Sequence, residues 1–144
     1  MSQHRLLMRW ACDVAEHLLG ELAREMEDDR PRRAIVVGRL WAEGRVKTGV
    51  AMKAAVAAHA AAREAALPEW VFVARATGHA AATAHAADHS MGAMIYAIKA
   101  WRARGENPQP FWKMHRLSMP KEWRTWLMEG VLARLPRELL QQLD

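Results

Sequence analysis

Ala74 to Trp101 reads ARATGHAAATAHAADHSMGAMIYAIKAW. Alanine has the highest helix propensity and almost no side chain, so an alanine-rich helix can be approached closely from nearly every side. The stretch therefore predicts the inner layer of an all-α bundle. It also carries His79, His85, Asp88 and His89, which form the densest group of ligand-type residues in the chain.

Upstream, Pro68 opens this region with Trp70, Val71 and Val73 as its apolar start. The pattern then runs on to about Arg104, which is long for one helix in a chain of this size. A break is expected near Gly78 or around Asp88 to Ser90, because glycine weakens a helix and Asp or Ser can cap a new one. Past the break, Met91, Met94, Ile95, Ile98 and Trp101 recur at helical spacing and read as core.

Towards the N-terminus, a helix from about His4 to Met26 places Leu7, Trp10, Ala11, Val14, Leu18 and Leu22 on one face. Its interspersed charges argue against a signal peptide. After Asp28-Asp29-Arg30-Pro31, a second helix runs to about Glu43 with Ile35, Val36, Leu40 and Trp41 as its buried set, and Gly44 stops it. A third spans about Thr48 to Ala66, with Met52, Ala55, His59, Ala62 and Ala66 in line. Gly105 to Pro120 contains three prolines and is read as irregular, with FWKMHRL able to form a short helix. A last helix begins after Pro120, and Pro136 bends the chain into a final turn or two. The expected architecture is one domain over residues 1–144, of about five or six helices with alanine-rich helices inside.

Composition narrows the functional classes. The chain has 144 residues, 51% hydrophobic and 26% charged, and a formal net charge of +5. No stretch is long and apolar enough to span a bilayer. The lone Cys12 allows no intrachain disulfide and no thiolate metal cluster, which fits a reducing cytoplasm. The basic run Arg30, Arg32, Arg33, Arg39, Arg45 and Lys47 reads first as a solvated face paired with the acidic first helix, and second as a partner surface. Arg30, Arg32, Arg33 and Arg39, together with Trp112 in the tryptophan-bearing segment Phe111 to Trp126, are the candidate partner contacts. Nucleic acid ranks behind a protein partner, since most of the seven tryptophans fall on apolar helical faces and no DNA-binding module is recognisable.

His85-Ala-Ala-Asp88-His89 has the spacing that puts side chains on one face of a helix. With His59 from the preceding helix, these residues are candidate ligands for a divalent metal such as zinc or iron. The alternative is that the imidazoles bond one another, a carbonyl or an acid. His79 would join them only if the helix breaks. No phosphate loop, nucleophile elbow, H-E-x-x-H motif or di-iron pattern accompanies them, so no catalytic residue is assigned.

Four segments taken together carry a resemblance. They are Arg30-Pro-Arg-Arg-Ala-Ile35 followed by Trp41, Ala54 to Ala65 (AAVAAHAAAREA), Ala76-Thr-Gly-His79 with Thr83-Ala-His85-Ala-Ala-Asp-His89, and Tyr96-Ala-Ile-Lys-Ala100. In this order and spacing the chain resembles the immunity-five-like putative immunity proteins of bacterial polymorphic toxin systems. The likeness runs from about Leu6 to Trp101 and continues more loosely to Pro120, where Ser118 and Met119 separate Leu117 from Pro120. It implies an all-helical, cytoplasmic, non-enzymatic protein that binds and neutralises a cognate toxin, with homo-oligomerisation left open. A net charge of +5 sits awkwardly with inhibition of a nuclease, whose cleft is basic.

Overall fold

The protein is described here by a computed structural model covering residues 2–144. Among these residues are eight α-helices and no strand. They are α1 (Gln3–Leu22), α2 (Arg30–Ala42), α3 (Thr48–Glu64), α4 (Pro68–Ala82), α5 (His89–Ala103), α6 (Gln109–Leu117), α7 (Arg124–Ala133) and α8 (Arg137–Leu143), with a 3-10 turn at Lys121–Trp123 before α7. The helix count exceeds five or six because the C-terminal third is divided more finely than expected. Prolines at or next to the first positions of α6 and α8 pre-set their backbone and isolate two short helices of 9 and 7 residues.

The alanine-rich stretch lies at the centre, as its composition requires. Helix α4 packs against α1, α2, α3 and α5, and α5 packs against α1, α4, α6 and α7. Ala74, Ala76, Ala80, Ala81 and Ala82 on α4 are all buried, and Ala54, Ala55, Ala58, Ala61 and Ala62 meet them or α2 from α3. The larger apolar side chains come from α1, where Leu7, Met8, Trp10, Val14 and Leu18 join Met94 and Ile98 of α5 and Leu127 of α7 in the main core. All six residues expected on the apolar face of α1 are buried.

Helix α2 departs from expectation. Its buried set is Pro31, Ala34, Ile35, Gly38 and Ala42, while Val36 is 57% exposed and Leu40 and Trp41 are half-buried. A close helix–helix approach selects small residues over large ones, so the contact face is the smaller-residue face. Gly44 ends α2 at φ 75°, a left-handed conformation natural to glycine, and the next amide, of Arg45, donates back to the Leu40 carbonyl.

The break in the 68–104 region falls at residues 83–88, so the Asp88–Ser90 alternative holds and Gly78 lies within α4. Two side chains help end α4. Thr83 Oγ1 donates to the His79 carbonyl at 3.2 Å, and His4 Nε2, reaching over from α1, donates to the Thr83 carbonyl at 2.5 Å. Indole N–H groups secure other ends: Trp70 donates to the Leu22 carbonyl at the end of α1, and Trp123 to the Gln3 carbonyl at its start.

The basic run after α1 is mostly held in place by contacts within the fold. Arg32 donates to the carbonyls of Met26 and Arg24 at 2.6 and 2.8 Å, tying down the α1–α2 connection. Arg30 pairs with Asp28 and also with Glu64 on α3. Arg39 meets Asp13 at 2.9 Å and Glu16 at 2.5 Å on α1. Arg33 is the more exposed member, paired with Asp29 at 3.0 Å. Because the Arg39 carboxylate partners are solvent-facing, Arg39→Ala lowers stability by only about 0.5–1 kcal/mol, read as a small shift of the urea midpoint.

Candidate functional site

Helices α3, α4 and α5 bring three imidazoles together. His79 is the middle one. Its Nδ1 lies 3.1 Å from Nδ1 of His89 on α5, a hydrogen bond in which one ring donates and the other accepts. On its other sides, the His59 ring of α3 meets it edge-on at 5.1 Å, and Tyr96 stacks on it at 5.1 Å with 13° between planes. His59 Nδ1 lies 3.1 Å from a guanidinium nitrogen of Arg75 and accepts from it.

Two glycines create the space. A methyl group at Gly78 would sit 2.7 Å from His59 Nε2, and one at Gly92 would sit 2.5 Å from His79 Cγ. Glycine interrupts these alanine-rich helices where an imidazole crosses their backbone. Cγ is the anchored end of the His79 ring, so Gly92→Ala forces the ring or the helix to shift. We expect it to lower stability by about 1–3 kcal/mol, the range for overpacking a close contact. A Gly92→Ala, His79→Ala double variant should lose less than the sum of the single losses, measured as a coupling energy from urea titrations.

Two of these rings bind protons less readily than a free imidazole. Burial, then the nearby His59, His89 and Arg75, push His79 down to about 4, with Asp88 opposing. His59 is lowered by burial and by Arg75, His89 and Arg63. Lowered proton affinity is the behaviour expected of half-buried imidazoles close to one another and to a guanidinium.

The sequence-derived ligand set is divided by this geometry. His59 and His89 both converge on His79, whereas His85 is exposed in the turn after α4 and Asp88 is exposed at the residue before α5. The helix break that admits His79 also removes the common face that His85, Asp88 and His89 would share on a continuous helix. Among the described residues, no group of three or more His, Cys, Asp or Glu is placed to hold a metal ion. Cys12 is fully buried against Met8, and burial raises its thiol to about 12, which leaves it unreactive.

The partner-contact candidates are also redistributed. Trp112 is only 2% exposed and belongs to the core, so it is withdrawn as a surface contact. The apolar residues that α6 does expose are Met114 and Leu117, and Trp126 on α7 is 37% exposed. The reason is helical phase: Phe111, Trp112 and His115 share the inner face of α6, and Met114 and Leu117 the outer one.

A second polar constellation escaped the sequence reading. His17 Nδ1 on α1 lies 2.8 Å from Nε2 of His115 on α6, and His17 stacks on Phe111 at 4.9 Å with 23° between planes. Glu21, one turn along α1, approaches His17 Nε2 at 3.6 Å. Burial and the neighbouring His17 push His115 down to about 4, against a weaker opposing effect of Asp13. Beside this pair opens a cavity of about 450 Å³, walled by Trp101, Phe111, Pro110 and Met114 and rimmed by His17, Glu21, Glu106 and Asn107. The only local signals were His17–Glu21 and Phe111–His115 at four-residue spacing. Nothing in a single sequence says that these two pairs face each other.

Fold and sites together define an all-helical bundle with a histidine cluster across three of its helices and an acid-rimmed pocket between its first, fifth and sixth helices. Residues 1–130 match the family model described as Imm-5 like putative immunity protein, and the chain belongs to that family. The match extends past the motifs in α2 to α5 that carried the resemblance, through α6 and into α7. No match was found for the chain among curated proteins or among solved structures. No helix among the described residues is long and apolar enough to cross a membrane.

Proposed function

We propose that this chain is an immunity protein that binds a cognate bacterial toxin and neutralises it by occlusion. The observation that carries this reading is the family match over residues 1–130. An inhibitor of this kind needs a rigid, well-packed surface rather than reacting groups, and the fold supports that role. Its alanine-packed centre and mutually bonded imidazoles hold the outer faces in fixed positions. In this reading the protein acts in the cytoplasm of the cell that makes the toxin.

The experiment is capture of the partner from the native organism, followed by reconstitution from purified components. The expected result is a single polypeptide in a one-to-one complex with nanomolar or tighter affinity by calorimetry, and loss of the partner's activity at equimolar ratio. A partner whose activity is unaffected by saturating amounts of this chain would refute the proposal.

A further inference from the structure

The cavity between α1, α5 and α6 has walls and a rim of different chemistry. Its lining includes the half-buried Trp101 indole, and its rim carries the carboxylates of Glu21 and Glu106 from two separate elements. Aromatic faces carry negative quadrupole potential and attract cations, guanidinium especially. The two rim carboxylates can add charge-assisted hydrogen bonds to a guanidinium. The pocket is therefore shaped for a positive group on an apolar stem.

We propose that this cavity is the socket for an arginine or lysine side chain presented by a basic segment of the protein partner; the identity of that partner as a toxin rests on the function proposed above. The volume, about 450 Å³, lies in the range of sites that engulf a ligand group rather than touch it. The rim is prearranged. Asn107 Oδ1 accepts from the Gln109 amide at 3.0 Å and fixes the loop that carries Glu106. The His17 ring is held on Phe111 by stacking and by its bond to His115. Prearrangement lowers the ordering cost of binding.

One feature points to a polypeptide rather than a free amine. Met114 in the pocket wall and Leu117 one turn further along α6 are both exposed, giving an apolar border against which a protein surface can pack. Competing cation contacts within the fold are weak. Arg104 Nε stands 3.9 Å from Glu106, beyond hydrogen-bond distance, and is shared with Glu69 at 3.8 Å. The overall charge of +5 is thus no obstacle to a basic partner face, because the local rim is acidic and distant surface charges are screened.

The test uses the full chain and two peptides, N-acetyl-alanyl-arginyl-alanine amide and the same peptide with citrulline, the neutral isostere of arginine. Binding is followed through the Trp101 indole N–H resonance. The arginine peptide should shift it saturably, about fivefold or more tightly than the citrulline peptide, and Glu21→Gln with Glu106→Gln should erase the difference. Equal binding of the two peptides, or no shift from either, overturns the socket. With the purified toxin, the same double variant should weaken the complex about tenfold or more while leaving the melting temperature unchanged. An unchanged affinity in a complex that still neutralises the toxin sinks the socket and leaves the immunity reading standing. Discrimination between the peptides without any neutralised partner does the reverse.

Discussion

Trp112→Ala should lower the unfolding free energy by about 3–5 kcal/mol, the range for truncating a buried large aromatic side chain. Trp112 is the largest of the fully buried side chains, and it sits on α6, a helix of 9 residues with little stability of its own. What holds α6 to the bundle is Trp112 and Phe111 in the core, the His17–His115 bond, and the Trp10 indole donating to the His115 carbonyl at 3.0 Å. Removing the indole leaves a cavity in the main core. Trp126→Ala is the control: its ring is 37% exposed, so its loss should be less than half as large. Urea titration checks both, with the midpoint shifting and the slope constant. Equal losses would contradict the burial of Trp112.

Acid should destabilise the protein well above the pH at which carboxylates titrate. His79 and His115 are each pushed down to about 4 from an ordinary value of 6.5, chiefly by burial. Between those limits the unfolded chain binds more protons than the folded one, so stability rises with pH through the window. The contribution is fully present above about pH 6.5 and is lost as pH falls to about 4. Each site would contribute up to about 3 kcal/mol at full value and roughly 2 kcal/mol after allowing for partial exposure and screening. Denaturant titrations at several pH values should show this slope, and His79→Gln and His115→Gln should each flatten part of it. Stability that stayed level from neutral pH down to about pH 4.5 would contradict the lowered proton affinity assigned to these rings.

How much of this was legible depended on side-chain size. In α1, large apolar residues alternate with charged ones, so the buried face could be read directly, and its six expected residues are all inside. In α3, alanine occupies so many positions that the pattern has no phase. The expected line Met52, Ala55, His59, Ala62 and Ala66 differs from the observed buried face of Ala51, Ala54, Ala55, Ala58, Ala61 and Ala62. In α2, large apolar residues were taken as the contact face, while close approach selected Ala34 and Gly38 and left Val36 outside.

The sites were harder still. Local spacing grouped His85, Asp88 and His89, but the break at residues 83–88 separated them. Their place was taken by a meeting of His59, His79 and His89 across three helices, which no spacing encodes. The trace in the sequence was indirect: Gly78 and Gly92 stand in alanine-rich helices where an imidazole leaves no room for a methyl group. The His17–His115 pair joins residues 98 apart in the chain and depends on how α6 folds back onto α1. The core position of Trp112 depends on the same docking.

The most direct measurement of the central claim is growth of cells that express the captured partner, with and without this chain. The account predicts growth arrest when the partner is expressed alone and restored growth when the two are co-expressed. Continued arrest, with this chain present in folded form and in excess, would contradict it.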